Sequence, residues 1–158
     1  MAALLAPSSL TAELASHFAA LEERPRLITL VHGDVRWENC LVQADPGSVR
    51  LIDWETAGMG DPAWDVAGVI QEHLRFRIVR PHLSAALDVS LEAFLASYRA
   101  HTPRTWLPIL TSARRLAGAR LIQTALEHVA AGTAPSAAAP LVQLAQIVLR
   151  APDSVLPS

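Results

Sequence analysis

The chain has 158 residues, of which 51% are hydrophobic, and a formal net charge of −2. This length and apolar content suit one ordinary domain with a filled core and argue against a disordered chain. The small net charge provides no broad basic field, so neither nucleic acid nor a membrane surface is expected as a partner. All 13 basic residues are arginine, so these 158 residues cannot by themselves support chemistry that needs a lysine.

Cys40 is the single cysteine, which excludes a disulfide within the chain and argues against a cysteine-based zinc site. No apolar run approaches the roughly 20 residues that cross a membrane. The N-terminal residues lack the charged and apolar regions of a signal peptide. A cytoplasmic protein is therefore expected.

The first 31 residues predict a helix followed by a strand. Apolar residues recur at helical spacing before Pro25, at Leu10, Leu14, Phe18 and Leu21. The short apolar run 27–31 predicts a strand or an extended segment that enters a loop.

Two further apolar runs, 40–43 and 49–52, flank the turn-forming sequence Asp-Pro-Gly-Ser at 45–48. This pattern predicts a β-hairpin. Because an isolated hairpin is marginally stable in water, it is expected to pack on helices.

Helical patterns fill the rest of the chain. Asp61 and Pro62 are typical of a helix start, with Asp61 as the cap, and that helix is expected to end near Arg75 or Phe76. Three more helices are predicted over residues 83–100, 106–131 and 137–150. The fold class is therefore α+β and mainly α.

Polar residues gather in the loops of the central stretch. Asp34 and Asn39 lie five residues apart after Gly33, and Asp53 follows the second strand of the hairpin. A hairpin returns the chain on itself, so Asn39 and Asp53 are expected side by side. Their oxygen atoms are hard ligands that suit Mg²⁺ together with phosphate and water. Asp34 would lie nearby and could accept a hydrogen bond from a nucleophilic hydroxyl.

Three motifs of this stretch resemble the aminoglycoside phosphotransferase and choline kinase-like family, which shares its lower lobe with protein kinases. They are H-G-D-x-x-x-x-N (His32, Gly33, Asp34, Asn39), I-D-W-E (Ile52, Asp53, Trp54, Glu55) and G-D-P-x-x-D-x-A (Gly60, Asp61, Pro62, Asp65, Ala67). The resemblance implies a kinase-like C-terminal lobe, with helices packed around a catalytic loop and a small hairpin. Residues 1–158 would form one domain, with a motif core at 27–67 and a helical subdomain at 68–150.

The resemblance also implies roles for individual residues. Asp34 would be the catalytic carboxylate that orients the acceptor hydroxyl. Asn39 and Asp53 would hold Mg²⁺ on the phosphates of ATP or GTP, and Leu41 and Ile52 would join them in binding the nucleotide. The implied function is transfer of a γ-phosphoryl group to a small-molecule hydroxyl.

Structural roles are expected for several other residues of the stretch. His32 is expected to bond to backbone, and Asp65 to tie the following helix to the catalytic loop. Trp54 and Trp64 are expected in the core. A solvated helix face is expected for three arginines, with an interface or a phosphate site left open: Arg114, Arg115 and Arg120.

The sequence departs from the family at its N-terminal side. A complete kinase of this type has a lobe with a phosphate-covering loop and a lysine, and neither feature occurs here. Three explanations stay open: the lobe is supplied by another polypeptide, the chain is a non-catalytic binding or scaffold subunit, or it acts alone or as a dimer. A protein partner or homo-oligomer covering this face is expected, because apolar surface would otherwise be exposed.

The acceptor is not identified by the sequence. Arg36 and Trp37 lie inside the catalytic loop and are candidates for contact with it. The region 83–150 has only three carboxylates (Asp88, Glu92 and Glu127), which does not favour a polycationic aminoglycoside. A metal-dependent phosphohydrolase, with water in place of the acceptor, is a further alternative.

Overall fold

The computed structural model describes residues 27–42, 47–132 and 135–154, together with positions 12, 15, 16 and 19. The described part is mainly helical, with short strands in two separate pairs, so the predicted class is confirmed. The predicted helix around Leu10–Leu21 lies almost entirely outside the described residues. The strands are β1 (Thr29–Val31), β2 (Cys40–Val42), β3 (Val49–Leu51) and β4 (Gly58–Gly60), and the helices are α1 (Ala63–Val79), α2 (Ser84–His101), α3 (Trp106–Ala131) and α4 (Pro135–Arg150).

The predicted hairpin is formed by β2 and β3, which pair antiparallel with Cys40 opposite Leu51. Most of its turn, residues 43–46, lies outside the described part. A second antiparallel pair, β1 with β4, was not predicted. The sequence of β4 is Gly-Met-Gly, which has little strand propensity. Its position is fixed by close packing, since a Cβ on Gly60 would come within 2.9 Å of Val31 Cγ2.

The helices follow the predicted order. Helix α1 continues to Val79, a few residues beyond the predicted end, and a 3₁₀ turn at Pro81–Leu83 leads into α2. Helix α3 begins and ends where the sequence pattern placed it. Helix α4 begins at Pro135, two residues earlier than predicted.

Helix α1 lies at the centre of the helical region and packs against α2, α3 and α4. Its apolar face, including Val66, Ile70 and Leu74, is almost completely buried. Helix α3 packs against α4 through small residues, and a Cβ on Gly118 would meet Leu149 Cγ at 2.8 Å. None of the helices in the described part is both long and apolar enough to cross a membrane.

Candidate active site

The loop between β1 and β2, residues 32–39, is anchored by Asp65 at the start of α1. The Asp65 carboxylate accepts hydrogen bonds from the backbone amides of His32 (2.7 Å) and Gly33 (2.9 Å). Because the acceptor is charged, each of these hydrogen bonds is stronger than one between neutral groups, and the two together fix the loop to α1. The expected role of Asp65 as a tie between helix and loop is confirmed, and Asp61 accepts a bond from the Ala63 amide (2.9 Å) as the expected helix cap.

His32 connects the same loop to the hairpin. Its Nδ1 accepts a hydrogen bond from the Asp34 amide (3.3 Å), so Nε2 carries the hydrogen and donates to the Ile52 carbonyl (2.9 Å). The ring is buried, and its backbone contacts confirm the expected structural role.

Gly33 allows the loop to turn sharply beside the segment that follows the hairpin. Its φ is +85°, and an added Cβ would lie 2.7 Å from the Thr56 carbonyl oxygen. The Thr56 hydroxyl donates to the His32 carbonyl (2.9 Å), and the Trp64 indole donates to the Gly33 carbonyl (2.7 Å). The backbone at 32–33 is therefore held from both sides.

Asp34 and Asn39, five residues apart, meet in space as the sequence predicted. The Asn39 amide nitrogen donates to the Asp34 backbone carbonyl (2.9 Å) and to Asp34 Oδ2 (3.2 Å). Arg36 binds the other carboxylate oxygen, with Nε and one terminal nitrogen each 2.9 Å from Asp34 Oδ1. The carboxylate is thus oriented by neutral and charged donors together.

Asn39 also adjoins the segment that carries Asp53. Its backbone carbonyl accepts a bond from the Ile52 amide (3.0 Å), which extends the β2–β3 ladder by one step. Asp53 comes next and has a left-handed backbone (φ 64°, ψ 63°), a conformation that costs free energy in most non-glycine residues and is concentrated at functional sites. The predicted proximity of these two chain segments is confirmed.

The donor chemistry of Asn39 and Asp53 fits a magnesium ion. The Asn39 nitrogen is used by Asp34, which leaves the carboxamide oxygen as its available ligand atom. Asp53 is exposed and offers a carboxylate. The described residues contain no cluster of three or more His, Cys, Asp or Glu side chains placed to hold a metal ion.

The hairpin side of the site exposes apolar surface. Leu41 is 50% exposed and Ile52 is 39% exposed. Trp54 is also half exposed, with its ring 4.6 Å from the His32 ring, so its expected core position is wrong. Its indole donates to the Leu51 carbonyl (3.0 Å), which lets the ring cover the edge of the hairpin while remaining accessible.

A cleft of about 180 Å³ opens between α1, α3 and the loop 32–39, which is named the catalytic loop after its candidate catalytic residue Asp34. Arg36 from the loop lies at this cleft, which connects it directly to the Asp34 carboxylate. Three arginines and three glutamates occur among its polar lining residues: Arg36, Arg75, Arg120, Glu38, Glu72 and Glu127. Glu38 and Glu72 were not predicted as cleft residues, because both lie before residue 83 and so outside the helical region 83–150.

Glu72 is the buried carboxylate of this cleft. It accepts bonds from the Trp37 backbone amide (3.1 Å) and from Arg75 (2.9 and 3.0 Å). Arg75 also reaches Glu38 (3.3 Å). Burial lowers the pKa of Arg75, but hydrogen bonds and charge from Glu72 and Glu38 outweigh it and raise that pKa overall.

Arg120 does not lie on a solvated helix face, so the expectation for this residue is wrong. It is 6% exposed, and its guanidinium lies over the Trp64 ring at 4.7 Å from the ring centre. One terminal nitrogen is 3.9 Å from Asp34 Oδ1. Burial lowers the pKa of Arg120, an effect that the Asp34 carboxylate opposes. Helical periodicity alone could not reveal this burial, because the covering residues come from the catalytic loop and α1.

Comparison with known proteins identifies the family of this chain. The model of the phosphotransferase enzyme family (APH) matches residues 2–106, which is more than half of the chain. The chain belongs to this phosphotransferase family. Its aminoglycoside phosphotransferase-like character, predicted from the three motifs, is thereby confirmed.

One curated relative of this chain is viomycin phosphotransferase from Streptomyces vinaceus. The two sequences are 42% identical over 55 residues, which is 32% of this chain and 19% of the relative. The match thus spans about a fifth of the relative's length. No solved structure matches the chain.

Proposed function

We propose that the protein is a phosphotransferase that moves the γ-phosphoryl group of ATP or GTP to a hydroxyl of a small molecule, with Mg²⁺ as cofactor. Family membership supports the reaction class. The observation that carries the proposal is the contact of Asn39 with Asp34 Oδ2 (3.2 Å), made next to the segment that presents Asp53. A candidate catalytic carboxylate and two candidate metal ligands therefore share one loop–hairpin junction.

Mg²⁺ would be held by the Asn39 side-chain oxygen and the Asp53 carboxylate. When bound, it would neutralise charge on the nucleotide phosphates. Leu41 and Ile52 would provide the apolar surface beside the nucleotide base, in keeping with their exposure on the hairpin side.

Asp34 would act on the acceptor. Its carboxylate would accept the hydrogen bond of the acceptor hydroxyl and take the proton, while the acceptor oxygen forms a bond to the γ-phosphorus and the bond from that phosphorus to the leaving oxygen of the nucleoside diphosphate breaks. In such reactions positioning matters more than strong base catalysis. The hydrogen bonds that fix both oxygens of Asp34 supply that positioning.

The acceptor would bind in the cleft between α1 and α3. Its lining carries both arginine and glutamate side chains, so cationic and anionic groups of an acceptor would each find a side chain of opposite charge there. Viomycin, after which the relative from Streptomyces vinaceus is named, is the first acceptor to test.

The remaining parts of the site would come from outside these 158 residues. We propose that the chain forms a kinase-like lower lobe and that a lysine-bearing partner chain covers the nucleotide phosphates. This partner would pack on the exposed hairpin side, which includes Val42 (75% exposed) and Val49 (62% exposed). A cytoplasmic location is proposed because the nucleotide substrate is found there.

Calorimetric titration with MgATP and MgGTP, combined with phosphoryl transfer to viomycin, tests this function. Asn39→Ala and Asp53→Ala should remove Mg²⁺-dependent nucleotide binding, and Asp34→Asn should retain it but lose transfer by roughly 10²–10⁴-fold. Glu92→Gln, at an exposed site on α2, is the matched control and should behave as wild type. Nucleotide binding that is unchanged in Asp53→Ala would overturn the proposed metal site. Nucleotide binding that is absent from the wild type at millimolar ligand would overturn the proposal in favour of a scaffold role.

A further inference from the structure

Arg120 is a charged side chain that this fold buries at the catalytic loop. It projects from α3 onto the face of Trp64, whose indole nitrogen is itself bonded to the Gly33 carbonyl at 2.7 Å. Its terminal nitrogen also lies against Gly68, since a Cβ placed there would come within 3.5 Å of it. The guanidinium is therefore held between α1 and the loop that carries Asp34.

Burial of the Arg120 guanidinium would cost free energy if its only role were to fill space. Moving a guanidinium out of water is unfavourable unless it gains charged or hydrogen-bonded partners, and an apolar side chain would fill the same space at lower cost. Within the described part of the chain, the buried Nε of Arg120 has no hydrogen-bond partner. The compensating contacts that the structure does offer are the Trp64 ring and the Asp34 carboxylate.

We propose that Arg120 is a positioning residue that fixes the catalytic carboxylate of Asp34 from the helical side. The inference rests on the proposed phosphotransferase function. Arg36 binds the same oxygen but belongs to the loop itself, and its side chain is 39% exposed. Arg120 projects from a long helix and is 6% exposed, so its guanidinium is held rigidly and can fix the position of the Asp34 carboxylate.

The two carboxylate oxygens of Asp34 have different neighbours. Arg36 contacts Oδ1, and Arg120 lies 3.9 Å from the same atom, whereas Oδ2 has the Asn39 amide as its neighbour. Oδ2 is therefore the oxygen that meets the acceptor hydroxyl. Helix α3 also lines the acceptor cleft through Gln123 and Glu127, so one rigid element positions both the acceptor and the group that acts on it.

A double-mutant cycle between Arg120 and Asp34 tests this role. The rate constant kcat and the KM for MgATP are measured for phosphoryl transfer to viomycin and for MgATP hydrolysis. Arg120→Gln should lower kcat roughly 10- to 100-fold with KM changed less than about twofold, because it misplaces the carboxylate without touching the nucleotide. Arg120→Lys should recover part of kcat, since it keeps the charge but not the flat group that stacks on Trp64.

The decisive comparison is made in the Asp34→Asn background. If Arg120 acts through Asp34, adding Arg120→Gln there should change kcat by less than about twofold. Arg115→Gln, on the same helix and outside the cleft lining, should leave kcat unchanged in both backgrounds.

Two results would contradict the inference by itself. One is an unchanged kcat in Arg120→Gln, and the other is an equal loss in the two backgrounds, which a merely structural role would give. If Arg120→Gln does not fold, the same cycle built with Arg120→Lys decides between these results. A wild type without Mg²⁺-dependent transfer or hydrolysis overturns the proposed function, and with it this inference, whereas an active wild type with unaffected variants overturns the inference alone.

Discussion

Three consecutive buried polar residues on α1 each contact a different part of the molecule. Gln71 donates to Thr124 on α3 (3.3 Å), and Glu72 accepts from the Trp37 amide in the catalytic loop (3.1 Å). His73 lies 3.2 Å from the Ser90 hydroxyl on α2. Since unsatisfied buried polar groups are costly, these contacts fix how loop and helices meet, in a way that apolar packing alone would not.

The burial of His73 predicts that the free energy of unfolding depends on pH. Burial lowers its pKa below the ordinary value of 6.5, against the opposing effects of the Val69 carbonyl, Glu72 and Asp88. His73 therefore binds a proton more readily in the unfolded chain than in the folded protein. Its contribution to stability is complete above pH 6.5 and is lost as the pH falls from 6.5 to the lower pKa of the folded state. The free energy of unfolding, measured in urea from pH 7.5 to 5, should fall less steeply in His73→Gln than in wild type, by at most about 1.4 kcal/mol per pH unit.

His101→Gln is the matched control for this measurement. Both histidines bond through Nδ1 to the carbonyl four residues earlier, but His101 is exposed. His101→Gln should keep the wild-type pH dependence. An unchanged slope in His73→Gln would show that His73 is not the group responsible.

At the scale of secondary-structure elements, α1 positions the catalytic loop with one face. Asp65, Gly68 and Glu72 are spaced by three and four residues and so lie on the same side of the helix. Asp65 and Glu72 accept hydrogen bonds from loop amides, and Gly68 lets the loop backbone approach between them. The loop is therefore held along about two turns of helix.

Gly68→Ala should test this close approach. An added Cβ would lie 2.6 Å from the Val35 carbonyl oxygen, so the loop or the helix must shift. We expect a loss of about 1–3 kcal/mol in the free energy of unfolding, measured by urea denaturation. Gly58→Ala is the control, because nothing lies within 4 Å of its added Cβ, and it should be neutral or slightly stabilising. Equal effects of the two substitutions would contradict the role assigned to Gly68.

At the scale of the whole molecule, the described residues divide into a packed side and an open side. The helical side buries its apolar residues around α1, whereas the hairpin side leaves Leu41, Val42 and Val49 at least half exposed. Of the residues proposed to bind the metal and the nucleotide, Leu41, Ile52 and Asp53 are exposed on the open side, and Asn39 is buried beside them. Ligand binding there should stabilise the fold by mass action, because the site exists only in the folded chain.

Thermal unfolding should therefore respond to MgATP. At a concentration ten times the Kd, binding adds about 1.4 kcal/mol to stability and should raise Tm by a few degrees. Removing Mg²⁺ with EDTA should abolish the shift, as should Asp53→Ala, whereas Glu92→Gln should retain it. A shift that survives in EDTA would contradict the assignment of a metal-dependent site to Asn39 and Asp53.

The sequence by itself determined the fold class, the hairpin, the helix order and the family. These features depend on local periodicity, turn residues and motif spacing, and they include the roles of His32 and Asp65. The strand at 58–60 was not predictable, because its glycines have no strand propensity and its partner is distant in the chain.

The tertiary structure decided where single side chains of ambiguous type lie. Trp54 is half exposed and Arg120 is buried, the reverse of what their residue types suggest. Glu38 and Glu72 join Glu127 in one cleft although they are distant in sequence. Burial and charge pairing depend on which elements pack together, and this packing arises from the whole chain. The sequence therefore identified the family and the residues of the candidate site, while the packing of α1 and α3 on the loop decided what surrounds Asp34.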